Sequence, residues 1–368
     1  MIGSGTTMAA TLVLAAVAAA LAPRASHAET YAYVGNADSN DISVFKFDAL
    51  TGEMTPVQTA GFVGVEKAGS STPLAISPDK RVLIAGIRSQ PYLAESFAID
   101  AKTGQLTHVG NGPLADSMAN IAFNRTGKVL FSASYGGNKV AVNPVQANGV
   151  VAAPSQVIPT GLNAHAFLPS PDNRFVFATN LGSDQVLGFA FDAATGTLTA
   201  NDALTVKTPE KSGPRHFIFH PNGKFIYLLH ELNADLAVFA YDADKGIWSE
   251  QQRTTALPAG FSGKPWAADL HVTPNGQFLY ASERGSHTLA AFKVDPASGR
   301  LTTIGSVPTE TQPRGFNIDS SRRYLAAVGE LSNGMTVYRI DPASGALEKL
   351  KSYAVGKKPN WVEFISLP

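Results

Sequence analysis

The chain has 368 residues, 44% of them hydrophobic, and its 29 basic and 29 acidic residues cancel to a formal net charge of zero. That balance gives no reason to expect nucleic acid or an anionic membrane surface as a partner. Cysteine is absent, which excludes disulfides, thiol nucleophiles and thiolate metal sites.

From Met8 to Leu21 the residues are small and apolar apart from Thr11, and Ser26-His27-Ala28 follows with small residues three and one before a cut. This is the pattern of a secretory leader removed near Ala28, although no Lys or Arg precedes the apolar run. The run is shorter than the roughly 20 residues a membrane span needs. The expected organisation is therefore a signal peptide over 1–28 and one exported domain over 29–368, periplasmic or secreted. No later segment is apolar enough to span a membrane.

Beyond residue 29 the chain repeats. One turn signature recurs at Asp48–Gly52, Asp100–Gly104, Asp192–Gly196, Asp242–Gly246, Asp295–Gly299 and Asp341–Gly345. Asp accepts bonds from the amides that follow it, and Gly supplies the positive φ that returns the chain to the next strand. A second element alternates with the first: an apolar strand, a Pro-Asn-Gly-Lys-like turn and an aromatic-rich strand. It covers 75–85, 121–132, 166–178, 217–228, 270–281 and 316–327. A seventh copy is split, with Tyr31–Gly35 supplying its second strand and Asn360–Ile365 its first.

The centre of the aromatic strand falls at Tyr33, Ile84, Phe131, Phe177, Tyr227, Tyr280 and Ala326, 46 to 53 residues apart. Seven units of four short strands predict an all-β chain, a seven-bladed β-propeller closed by pairing the N- and C-terminal strands. The Trp and Phe positions are read as core.

In a propeller the entry to strand one and the exit of strand two share the channel-mouth face. The residue six before the turn's Pro is Thr72, Ala119, His165, Arg215, Ala268, Arg314 and, in the closing unit, Asn360. The residue four after the strand-two centre is Ala37, Arg88, Tyr135, Leu181, Glu231, Arg284 and Glu330. His165, Arg215, Glu231, Arg284, Arg314 and Glu330 thus gather on one side of the mouth, with His216, Asp269 and His271 beside them. Charged channel residues also bridge blades for purely structural reasons, since buried charge needs a partner. His220 and His230 are expected to be of that structural kind. The asymmetry of the cluster in a symmetric scaffold points to a site. Asp269 and His271 resemble a metal-ligand pair, but no third ligand is suitably spaced, so neither a metal nor another cofactor is expected. No G-x-S-x-G, P-loop or Rossmann fingerprint is present.

Gly213–His216, Phe219–Gly223, His230–Leu232, Ala268–His271, Phe278–Ala281 and Thr309–Phe316, with Tyr353–Gly356 and Trp361, resemble the seven-bladed propeller lactonase family. That family includes bacterial 6-phosphogluconolactonases and fungal carboxymuconate-cyclising enzymes. The resemblance implies metal-independent hydrolysis, or formation, of a lactone ring. It also implies an active set of one His, two Arg and a Glu, falling on His165, Arg215, Glu231 and Arg284, with Arg314 the other candidate for the second Arg.

On this reading Glu231 or His165 is the general base, with His165 favoured if Glu231 is ion-paired, and Arg215 stabilises the oxyanion. Arg284 and Arg314 would hold a carboxylate or phosphate. His216, Asp269, His271 and Glu330 complete the substrate side. Relatives acting on 6-phosphogluconolactone work in the cytoplasm, so an exported chain would meet unphosphorylated lactones or other small anions. The expected partner is a small lactone or anionic substrate, and the expected state a monomer. The alternatives are a non-catalytic exported propeller that binds a protein or small anion, and a lactone-forming cyclase.

Overall fold

The computed structural model describes residues 1–3, 5 and 28–368. All but the ends of the expected leader peptide lies outside the described residues. From Glu29 onward the chain forms seven antiparallel sheets arranged as the blades of a ring. In chain order blades 1 to 6 span 74–113, 118–159, 164–207, 214–255, 267–308 and 313–354. Blade 7 joins three strands over 29–61 to a fourth, Pro359–Leu367, from the other end of the chain. That strand pairs with Glu29–Asn36 from Glu29 opposite Leu367 to Gly35 opposite Trp361, so the ring closes as predicted. Closure removes a sheet edge whose unpaired amides would invite association. The outer edge of blade 3 is broken into Thr197–Ala200, a 3₁₀ turn at Asp202–Leu204, and Val206–Lys207. Among the described residues no helix is long and apolar enough to cross a membrane.

The recurring Asp-x-x-x-Gly turn does more than reverse the chain. In Asp295–Gly299 the Asp295 carboxylate accepts from the amides of Ala297 and Ser298 at 3.1 and 2.8 Å, and Gly299 sits at φ +71°. The turn then packs on the preceding blade. Gly299 lies against the Phe225 ring, and its carbonyl accepts the Tyr227 hydroxyl at 3.0 Å. Tyr33 makes the same bond to Gly104 at 2.9 Å, and Tyr280 to Gly345 at 2.8 Å. In blade 6 the strand centre is Ala326, and Tyr324 two residues earlier reaches the turn of blade 7 through the Leu50 carbonyl at 2.8 Å. The turn is therefore also the lock between neighbouring blades.

The core lies between the sheets. Phe225, Tyr227 and Leu229 of blade 4 pack with Leu279, Phe292 and Val294 of blade 5, all buried. Each such side chain contributes about 1.5–3 kcal/mol on burial.

The innermost strand of six blades carries a register shift near its start, between Met118 and Asn120, Ala164 and Phe167, Pro214 and His216, Ala267 and Leu270, Pro313 and Gly315, and Pro359 and Trp361. A β-bulge bends its strand and re-aims the side chain of the extra residue. The residues caught in these bulges include Ala119, His165, Arg215, Ala268 and Arg314. The same positions stood out by their spacing from the Pro turn.

Gly299→Ala should lower stability by about 2–4 kcal/mol, adding the cost of a non-Gly residue in left-handed backbone to that of overpacking a filled interface. Urea denaturation measures it, and a loss below about 0.5 kcal/mol would show that the turn does not lock the blades.

Candidate active site at the channel mouth

Arg215 sits in the bulge at the start of the Pro214–Phe219 strand, and Glu231 follows the end of the adjacent Phe225–His230 strand. The pairing of Pro214 with His230 brings the two together. Arg215 Nε donates to Glu231 Oε2 at 2.9 Å, and Arg215 Nη1 donates to the Ala268 carbonyl. From blade 5, Arg284 Nη2 donates to the same carboxylate oxygen at 2.8 Å. Arg284 is otherwise occupied by the carbonyls of Trp266 and Ala267, both at 3.1 Å, and its guanidinium lies over the Trp266 ring at 3.9 Å. Trp266 Nε1 donates to the second Glu231 oxygen at 3.3 Å. The side chains of Arg215 and Arg284 are 2% and 3% exposed. Burial works against the charge on Glu231, but the two guanidinium groups outweigh it and hold the carboxyl below its ordinary value.

His165, from the bulge of blade 3, lies against His216 with ring centroids 5.1 Å apart and against Tyr135 at 6.0 Å. Burial, then the positive charge of Arg215, keeps the His165 imidazole neutral well below its usual pKa. His216 is also neutral, lowered to about 4 by burial and by Arg215 despite the opposing pull of Asp269. Asp269 holds two histidines at once: its Oδ1 is 2.8 Å from His216 Nδ1, and its Oδ2 is 3.3 Å from His271 Nε2. Burial again opposes the Asp269 charge, and the histidines pull its pKa far below the carboxylate range. Because the Asp269 carboxylate can only accept, His216 donates through Nδ1, leaving Nε2 as a buried acceptor with no partner among the described residues. Arg314 Nη1 contacts Glu330 Oε1 at 3.3 Å. The Asp269–His271 pair is thus internally bonded, and among the described residues no group of three or more His, Cys, Asp or Glu is arranged to hold a metal ion.

His271 points away from the mouth cluster. With Asp269, His216, Trp361 and Glu363 it lines a cavity of about 600 Å³ that follows the central channel to the opposite, turn-bearing face, where Lys80, Arg125 and Ser320 edge it. Glu363 accepts from Trp361 Nε1 at 2.8 Å and from Asn317 Nδ2 at 3.3 Å, and burial raises its pKa to about 7. The His216–Asp269 pair therefore stands between two compartments. His271 is two residues along the inner strand from Asp269, a step further down the channel, and stays in contact with it at 3.3 Å. His220 lies on the far face, with Nε2 3.0 Å from the Gly276 carbonyl and Nδ1 accepting the Asn222 amide at 3.1 Å.

The family described as "Lactonase, 7-bladed beta-propeller" matches residues 30–364. The chain belongs to this family. Proteins of Pectobacterium carotovorum and Serratia proteamaculans named 6-phosphogluconolactonase are each 39% identical over 335 residues, covering 91% of this chain and 98% of theirs. A solved structure described as the periplasmic gluconolactonase of Pseudomonas aeruginosa is 31% identical with a TM-score of 0.83, covering 92% of this chain and 100% of that one.

Within this propeller lactonase, Trp266 escaped the sequence reading, and Arg88 and Tyr135, placed at the mouth by register, were left out of the candidate cluster. Arg88 and Tyr135 occupy the register of Glu231 and Arg284, but they lie in blades 1 and 2, remote in sequence from the motif-rich half. Charge coupling places them at the same mouth: Arg88 interacts with Arg215 and Arg314, and Tyr135 with Glu231, Arg215 and Arg284. Trp266 was assigned to the core with the other tryptophans, yet it is 38% exposed at the rim. It lies in a connection rather than a strand, so strand alternation carries no signal for it.

Glu231→Gln should destabilise the protein by about 3–5 kcal/mol, because two buried guanidinium groups lose their shared counter-charge. Equilibrium unfolding measures this, and combining it with Arg284→Met should recover part of the loss. Strictly additive losses would show that the pair is not coupled.

Proposed function

We propose that the chain is an exported lactonase that hydrolyses a sugar lactone at the channel mouth, with His165 as general base and Arg215 as oxyanion stabiliser. Family membership and the names carried by its relatives support the reaction class. The observation that carries the assignment of roles is the contrast between Glu231 and His165. Glu231 has its oxygens engaged by Arg215, Arg284 and Trp266 and is held ionised, which makes it a poor proton acceptor. Among the described residues His165 Nδ1 has no hydrogen-bond partner, and the imidazole is kept in the neutral form a base requires.

In the proposed step His165 takes a proton from water as the water oxygen bonds to the lactone carbonyl carbon. Negative charge developing on the carbonyl oxygen is met by Arg215, whose Nε and Nη1 are spent on Glu231 and Ala268 while Nη2 has no partner among the described residues. The ring C–O bond then breaks, and the imidazolium returns its proton to the departing alkoxide, yielding the open hydroxy acid. Arg284 acts through Glu231, holding the carboxylate that fixes Arg215, and so is a positioning residue.

Export is supported by the leader-like residues up to Ala28 and by likeness to the Pseudomonas protein described as periplasmic. An exported enzyme is separated from phosphorylated intermediates made inside the cell, which favours unphosphorylated sugar lactones.

His165→Gln and Arg215→Lys should each lower kcat/KM for lactone hydrolysis by about 10²–10³-fold, the range for losing a positioned base or one oxyanion donor. Initial rates corrected for spontaneous hydrolysis decide it, and wild-type rates in both variants would overturn the assignment.

The pH profile is a separate check. Protonating His165 would add positive charge beside Arg215, so the base form persists on acidification. kcat/KM should therefore hold from pH 8 down to about 5.5, without the decline near 6.5 that an ordinary histidine gives. A half-maximal point at 6.5 would show that His165 is not the base.

A further inference from the structure

The bulges that open blades 3, 4 and 5 carry, in them or next to them, His165, His216 and Asp269. Thr179 ties the two histidine-bearing strands together: its hydroxyl accepts the Ala166 amide at 2.9 Å and donates to the Arg215 carbonyl at 2.7 Å. Asp269 is held by four contacts. Its Oδ1 accepts the Leu270 amide at 3.0 Å as well as His216 Nδ1, and its Oδ2 accepts the Phe316 amide at 3.4 Å as well as His271 Nε2. The three side chains therefore form a fixed line running inward from the mouth.

Two buried ring nitrogens of that line have no hydrogen-bond partner among the described residues, Nδ1 of His165 and Nε2 of His216. They belong to neighbouring rings, with centroids 5.1 Å apart and planes inclined at 66°. That separation leaves room for one N–H···N bond between facing nitrogens, which spans about 3 Å. His216 Nε2 is bare because Nδ1 spends the ring's proton on Asp269. A buried acceptor left bare costs free energy, so it calls for a donor. The Trp361 ring, on the other side of His216 at 6.0 Å, spends its Nε1 on Glu363. The ring neighbour that remains is His165. Its second nitrogen, Nε2, also takes no hydrogen bond from the described residues, but unlike Nδ1 it is not sealed from solvent.

We propose that the two sealed nitrogens are each other's partner: His165 donates through Nδ1 to His216 Nε2, so that Asp269 and His216 fix the His165 tautomer and make Nε2 the atom that takes the proton from water. The inference deepens the lactonase reading and rests on it for the role of His165. A neutral imidazole has one N–H and one lone pair, and the bond made by one nitrogen decides which is which. With the proton on Nδ1 the lone pair faces the mouth. The opposite tautomer would present an N–H there, and His165 could accept nothing. His216 and Asp269 act through His165 and are positioning residues.

The tautomer can be read without turnover. In long-range ¹H–¹⁵N spectra of imidazole-labelled protein at pH 7, the His165 ring, recognised by its loss in His165→Gln, should show a protonated Nδ1 and a bare Nε2. His216→Phe removes the acceptor but keeps a ring, and Asp269→Asn lets His216 carry its proton on Nε2. Either change should move the His165 proton wholly or partly to Nε2. In both variants kcat for lactone hydrolysis should fall about 10–100-fold while KM changes less than about threefold, because the base is wrongly protonated and the arginine contacts remain. His216→Gln, whose carbonyl oxygen can accept from His165, should recover part of the loss. A His165 that carries its proton on Nε2 in the wild type, or a tautomer unchanged in both variants, overturns the relay. The wild-type pattern alone can do so, and the test therefore stands even if His216→Phe folds poorly. A protonated Nδ1 that shifts in the variants of a protein hydrolysing no lactone would instead sink the lactonase reading and leave the relay standing.

Discussion

The structure depends on one pairing, that of Pro359–Leu367 with Glu29–Asn36. Each blade alone is a small sheet with two open edges and one apolar face too many. Only a closed ring lets every sheet be covered on both sides, and closure needs the two ends of the chain to meet. The same act creates the channel. Trp361 and Glu363, contributed by the closing strand, line its wall beside Asp269 and His271 from blade 5.

Once the ring is closed, residues at the mouth are released from the ladder register that holds each sheet. The bulges at the starts of the innermost strands exploit that freedom. A bulge leaves its residue outside the ladder, so a guanidinium or imidazole there is not asked to fit the sheet core. Arg215 is nonetheless buried, and what makes this tolerable is Glu231. One carboxylate oxygen receives both Arg215 and Arg284, while Trp266 covers Arg284 and holds the other oxygen. This bracket fixes the positions of Arg215 and Arg284 and keeps both Glu231 oxygens engaged. Arg314 is met by Glu330, and Arg88 is braced by the hydroxyls of Ser71 and Ser117.

The channel is not one site. The His216–Asp269 pair divides the mouth from the cavity that opens on the turn face, and Asp269 touches both compartments through its two histidines. Its charge is secured by those contacts, and through Nδ1 it orients His216 beside His165. Position along the inner strands, with His216 near the mouth in blade 4 and His271 deeper in blade 5, is thereby turned into depth along the channel.

The sequence by itself determined the ring. The Asp-x-x-x-Gly turns, the aromatic strand centres and the split terminal unit are local patterns of period two with turns at fixed intervals, and such patterns need no distant partner to be read. It also located Arg215, Glu231, His165, Arg284 and Arg314, because each keeps a constant offset from its own turn. Only the tertiary structure decided how those groups share their hydrogen bonds. That Glu231 is consumed by two arginines, that Arg88 from blade 1 stands opposite with none, and that Trp266 leaves the core for the rim depend on blades meeting across a channel. Offsets along a strand specify which end of a blade a residue occupies, whereas charge pairing across the ring depends on distances between blades that no local pattern encodes.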